Sequence, residues 1–206
     1  FSFVLAHRDF EREGQIKLGF GREFSHEGNN FKLSLKTRGY RYNELIGSQG
    51  GLTALHFAVR QGATQSVAAL VDGGVPVNLP SPGDKATPLL VALINGHFDI
   101  AAYLLEHGAD PNLVSDAGVS PLYATLNVQW APIAAYPQPR AHLQQGRTYL
   151  EMMSLLLQKG ADPNARDGRD RTPLMLAVKA CTDSYWTDRR TPESVEALLR
   201  AGATAD

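Results

Sequence analysis

The chain repeats itself, and the repeat limits what it can fold into. Thr53-Ala54-Leu55-His56, Thr87-Pro88-Leu89-Leu90, Ser120-Pro121-Leu122-Tyr123 and Thr172-Pro173-Leu174-Met175 are versions of one tetrad. A second motif follows each: Gly74-Val75-Pro76-Val77-Asn78, Gly108-Ala109-Asp110-Pro111-Asn112, Gly160-Ala161-Asp162-Pro163-Asn164 and Gly202-Ala203-Thr204-Ala205-Asp206. Thr53 to Thr87 is 34 residues and Thr87 to Ser120 is 33. Such a period means one supersecondary unit per copy. A single unit cannot bury its own apolar face, so the copies must stack.

The second copy shows the local logic. Thr87 is an N-cap candidate, and Pro88 follows at the first helical position, where its missing N–H costs nothing. Leu89, Ala92 and Leu93 recur at helical spacing, then Ile100, Leu104 and Leu105 mark a second helix that stops at Gly108. The tetrads resemble the T-P-L-H-x-A signature of the ankyrin family, and the resemblance runs from about residue 49 to residue 206. The Gly-Ala-Asp-Pro-Asn endings look like bacterial members. The resemblance implies a mainly α solenoid of stacked helix-turn-helix units with hairpin fingers, its repeats at about 49–81, 82–115, 116–166 and 167–206. By the same resemblance His56 makes a structural hydrogen bond between repeats, and His97 belongs to a Gly-His turn. Asn78, Asn112 and Asn164 read as turn residues bonded to their own backbone.

Two repeats depart from the spacing. From the Thr or Ser to the closing glycine is 21 residues in the first two, but 40 from Ser120 to Gly160 and 30 from Thr172 to Gly202. The surplus falls between the two helices, at roughly Val128–Gly146 and Cys181–Thr191. Trp130, Tyr136 and Arg140 lie in the first insertion, and Tyr185, Trp186 and Arg189 in the second. Aromatics and arginines are interface residue types, so the two loops form a second candidate site. The plainer reading has Trp130 and Trp186 packing together as a small core for the loops.

Residues 1–48 lack the repeat. Ile16, Leu18 and Phe20 alternate with polar or small residues, as do Phe31, Leu33 and Leu35, around a turn-rich Ser25–Asn30 stretch. This pattern predicts a β-hairpin over about 15–37, acting as a cap or as part of a sheet that another chain completes. The segment carries eight Lys/Arg against six Asp/Glu, too small an excess to argue for nucleic-acid binding.

Chemistry finds little footing. The formal net charge is −1, so nothing draws the chain toward nucleic acid. No apolar run approaches the ~18 residues of a membrane span. The lone Cys181 rules out an internal disulfide, and the six histidines show no metal-ligand spacing, so no cofactor or metal is expected. Gly19-Phe20-Gly21 lacks the third glycine of a dinucleotide fingerprint. The sequence opens Phe1-Ser2-Phe3, which leaves a cytoplasmic site and, after leader removal, a periplasmic or secreted one both open. Further repeats beyond Asp206 stay open too.

The expectation is a protein-binding module without enzymatic activity. The resemblance places partner contacts on the fingers, at Gln49, Leu52, Asp84, Ala86, Ala117, Val119, Arg169 and Arg171. It adds the ends of the first helices, at Arg60, Gln61, Ile94, Asn95, Asn127 and Lys179. Lys85 stands where the family has glycine, beside one extra residue in Pro80–Asp84, so the second finger should depart from the pattern. Two alternatives remain: an assembly role for the N-terminal hairpin, and a small-molecule or peptide receptor between the inserted loops.

Overall fold

The computed structural model describes residues 51–130, 141–183 and 192–204, with backbone alone at Trp130 and residues 180–183. The hairpin expected over 15–37 and the tips of both insertions lie outside these residues. The described chain forms eight α-helices in four pairs: α1 (Ala54–Arg60) with α2 (Thr64–Asp72), α3 (Pro88–Asn95) with α4 (Phe98–Glu106), α5 (Pro121–Trp130) with α6 (Tyr149–Gln158), and α7 (Pro173–Asp183) with α8 (Glu193–Arg200). A short 3₁₀ turn, Ala141–Gln144, precedes α6. No strand is assigned among the described residues.

Each first helix starts at its repeat's Thr or Ser. Thr53, Thr87, Ser120 and Thr172 accept from the backbone N–H three residues on, at 3.4, 3.2, 3.2 and 3.2 Å. This satisfies one of the free donors that every helix start leaves over. Leu55, Val59, Leu89, Leu93, Leu122 and Leu126 from the first helices meet Phe98, Leu104, Met152, Leu156 and Leu198 from the second in one continuous buried core. First helices stack α1 on α3, α3 on α5 and α5 on α7.

The asparagines of the closing motif correct the sequence reading. They bond not to their own turns but to the next repeat. Asn78 donates to the Gly108 carbonyl at 2.9 Å and accepts from Asp110 N–H at 2.8 Å. Asn112 does the same to Gly160 and Asp162, both at 2.8 Å, and Asn164 to Gly202 and Thr204 at 3.1 and 2.8 Å. One amide per repeat thus ties consecutive closing loops together. Asn112→Ala removes two such bonds at an exposed position, and a loss of about 1–2 kcal/mol is expected. Urea denaturation checks this; an unchanged midpoint would mean that water replaces both bonds at no cost.

The insertions begin as helix. Residues α5 and α7 add reach 10 and 11 residues in all, against 7 and 8 for α1 and α3, so the extra residues first prolong the helix where a loop was expected. The first insertion then returns onto the repeat before it. His142 packs over Gly96, whose φ of +76° is left-handed and where a Cβ would come within 2.9 Å of the His142 backbone nitrogen. The His142 ring lies 5.9 Å from that of Phe98. Asp99 accepts from Gly146 N–H at 2.9 Å. One repeat earlier it is the His97 ring that sits against Gly62, 3.3 Å from the Arg60 carbonyl.

Candidate partner-binding surface

The fingers are hairpin turns that hold one another. Ser115 N–H donates to the Val119 carbonyl, Asp167 N–H to Arg171, and Ser81 N–H to Ala86, at 3.2, 3.0 and 2.9 Å. Between fingers, Asp116 N–H donates to the Asp84 carbonyl and Gly168 N–H to Ala117, both at 2.8 Å. The residue just before the closing carbonyl of each turn is left-handed, at Gly118, Asp170 and Lys85. As expected, the second finger departs from the pattern. It takes one more residue to close, and Lys85 adopts φ +57°, which costs a non-glycine residue roughly 1 kcal/mol or more. Lys85 pairs with Asp116 at 2.7 Å, and this bond from the neighbouring finger raises its pKa.

Six of the candidate contact residues prove to be buried. Ala86, Val119 and Arg171 immediately precede the capping Thr or Ser, and their carbonyls close the finger hairpins. That register turns their side chains inward. Asp84 is buried because its carboxylate accepts from Ala86 N–H at 3.0 Å and from the Ser81 hydroxyl, bracing the longer finger. Arg171 is held by Asp167 through two nitrogens, at 2.9 and 2.7 Å, with its guanidinium 5.3 Å from the Tyr123 ring centre. Ile94, near the end of α3, and Asn127, within the prolonged α5, are also buried.

The remaining candidates reach solvent to different extents. Gln61 is exposed, while Leu52, Arg60, Asn95, Ala117, Arg169 and Lys179 are partly exposed. Gln49, Tyr136, Arg140, Tyr185, Trp186 and Arg189 lie outside the described residues, as does the side chain of Trp130. No pairing of the two loops is therefore assigned.

One exposed residue went unrecognised. Phe57 follows the signature histidine on α1 and is 48% exposed, with the Arg60 guanidinium 5.4 Å from its ring centre. Val91, Ala124 and Leu176 hold the same register in the later repeats, and all three are buried. An apolar stripe thus runs along the first helices and opens at Phe57. Nothing in the local sequence separates that phenylalanine from its three buried equivalents.

The buried polar groups serve the stack. His56 Nδ1 accepts from Thr53, 2.7 Å from its hydroxyl and 3.3 Å from its N–H, while Nε2 donates to the Ala86 carbonyl at 3.0 Å. This is the bond between repeats that the resemblance implied. Burial lowers the pKa of His56, against the opposing pull of the Ala86 carbonyl and the Asp84 charge. Among the described residues no cluster of three His, Cys, Asp or Glu side chains is placed to hold a metal, and no helix is long and apolar enough to cross a membrane.

Helix pairs in register, fingers bonded edge to edge and a ladder of closing-loop amides define a helical repeat protein of the solenoid class. Two family matches make that specific: "Ankyrin repeats (3 copies)" covers residues 27–115 and "Ankyrin repeat" covers 134–168. The chain belongs to the ankyrin-repeat family. Residues 1–26 fall outside both matches.

Curated relatives include the B-cell lymphoma 3 protein homolog of Mus musculus, 30% identical over 62% of this chain. Regulatory protein NPR5 of Arabidopsis thaliana is 40% identical over 34% of it, and the phosphocholine transferase AnkX of Legionella pneumophila 33% identical over 34%. The matched stretch spans 24%, 14% and 7% of those three proteins. Ankyrin repeats are in general modules for protein–protein interaction.

Proposed function

We propose that this chain is a non-enzymatic module that binds another protein through the open part of its concave side. Phe57, Arg60 and Gln61 at the end of α1 form the anchor, flanked by the exposed finger positions Lys85 and Asp116 and the partly exposed Arg169. Phe57 carries the reading. Among the described side chains it is the largest apolar one exposed on the first helices, an arginine sits over its face, and aromatic and arginine side chains dominate binding hot spots. The fingers and helices are locked by bonds between repeats, so the surface exists before a partner arrives and little ordering entropy opposes binding. The described buried polar groups His56, Asp84 and Asp167 are engaged in holding repeats and fingers, which supports a binding rather than a catalytic role.

Capture of partners from a lysate of the source organism, beside a Phe57→Ala/Arg60→Ala variant, tests this. A specific protein should lose about thirtyfold or more in affinity for the variant, the scale of a hot spot of ~2 kcal/mol. A partner held equally well by both would move the contact surface to the inserted loops or the N-terminal segment.

A further inference from the structure

Charge is divided between the two layers of the stack. The first helices and the fingers carry Arg60, Lys85, Arg166, Arg169, Arg171 and Lys179 against Asp84, Asp116, Asp167 and Asp170, two more bases than acids among the described side chains. The second helices carry Asp72, Asp99, Glu106, Glu151, Glu193 and Glu196, and the closing loops add Asp110 and Asp162. Among the described side chains of that layer, Arg147, Lys159 and Arg200 stand against these eight acids. The two insertions do not reverse the contrast, since Arg140, Arg189 and Arg190 outnumber Asp183 and Asp188.

The acids of the first layer are already engaged. Asp116 pairs with Lys85 at 2.7 Å, Asp170 with Arg166 at 3.0 Å and Asp167 with Arg171 at 2.7 Å, while Asp84 is buried in its own finger. None of the four pairs with Arg60, whose guanidinium lies 5.4 Å from the Phe57 ring centre.

We infer, resting on the concave-side reading above, that the partner is acidic there: an extended protein segment that sets an apolar side chain against Phe57 and an Asp or Glu carboxylate on Arg60. A guanidinium stacked on a ring keeps its in-plane N–H groups for a carboxylate, which its planar fork matches with two bonds. The acidic second layer repels such a segment and the first layer attracts it, which fixes the side of approach. A basic segment would be steered to the opposite layer. A surplus of two charges is too small for a nucleic-acid backbone, where about six or more phosphates are contacted.

Peptide display against the whole 206-residue chain tests this. The probe is a random library about 12 residues long, because helices packed about 10 Å apart put α1 and α7 about nine extended residues apart. Peptides recovered on the parent and lost on Phe57→Ala are expected to carry an aromatic or leucine within about four residues of two or more Asp or Glu. Their affinity should fall about threefold or more between about 50 and about 300 mM salt. Arg60→Glu should weaken them at least about tenfold, and the library selected on that variant should return peptides bearing Lys or Arg instead. If Arg60→Glu melts more than about 5 °C below the parent, Arg60→Gln takes its place, with affinity lowered about threefold.

Neutral or basic peptides that still need Phe57 overturn the acidic partner and leave the concave anchor standing. Peptides indifferent to Phe57→Ala overturn both. A chain that selects no peptide overturns the extended acidic segment, while the capture experiment above still decides the anchor. A single strand of about 20 nucleotides, bound through Arg60 as tightly as the best peptide, overturns it in favour of nucleic acid.

Discussion

Asp167→Ala is expected to cost about 3–5 kcal/mol, a large share of the stability of a domain this size. The carboxylate is buried and organises the whole fourth finger. One oxygen accepts from Arg169 and Arg171 N–H, at 2.8 and 2.9 Å; the other accepts from the Arg171 guanidinium. Removing it frees two turn donors and leaves a mostly buried guanidinium without its carboxylate over Tyr123. Arg171→Met should cost somewhat less, about 2–3 kcal/mol, since one carboxylate oxygen keeps its backbone donors and the methionine still packs on the ring, while the other oxygen loses the guanidinium. Adding Arg171→Met to Asp167→Ala should recover part of the loss, because the stranded charge goes too. Urea denaturation of the three variants measures the cycle. An Asp167→Ala cost below about 1 kcal/mol would show that water solvates Arg171 in place and that the finger does not depend on the pair.

The same pair shows where the sequence is legible and where it stops being so. Helix starts were readable because the Thr or Ser, the proline and the apolar spacing act within four residues of one another. The repeat period then followed, and with it the fold. The family resemblance puts Arg171 among the finger contacts by its position alone. Its burial depends on Asp167 four residues back and on Tyr123 one repeat away. The burial of Ala86, Val119, Ile94 and Asn127 is illegible for a similar reason: whether a finger or helix position faces outward depends on what covers it in three dimensions. The asparagine ladder hid from a local reading because each amide finds its partner in the next repeat, between 30 and 50 residues on.

His56 ties stability to pH, and its sign is fixed by its bonds. The Thr53 N–H can only donate and the Ala86 carbonyl can only accept, so Nδ1 is an acceptor and Nε2 carries the proton. The ring is neutral in the fold. Its pKa is lowered, first by burial, below the ordinary value of 6.5 that it regains on unfolding. Protonation at Nδ1 would also displace both bonds from Thr53. The unfolded chain therefore binds the proton more readily, and the stability from His56 is complete above pH 6.5 and drains away as pH falls toward the lowered value. One proton limits the slope to about 1.4 kcal/mol per pH unit. His56→Ala is expected to lose about 2–4 kcal/mol at pH ~8, through the cavity and the stranded Ala86 carbonyl. It should also show a flatter decline from pH ~6.5 to ~5 than the parent. Urea midpoints for both chains across that range decide the matter. Parallel pH curves would mean that His56 titrates alike in the folded and unfolded chain, and the neutral ring bridging the first two repeats would have to be abandoned.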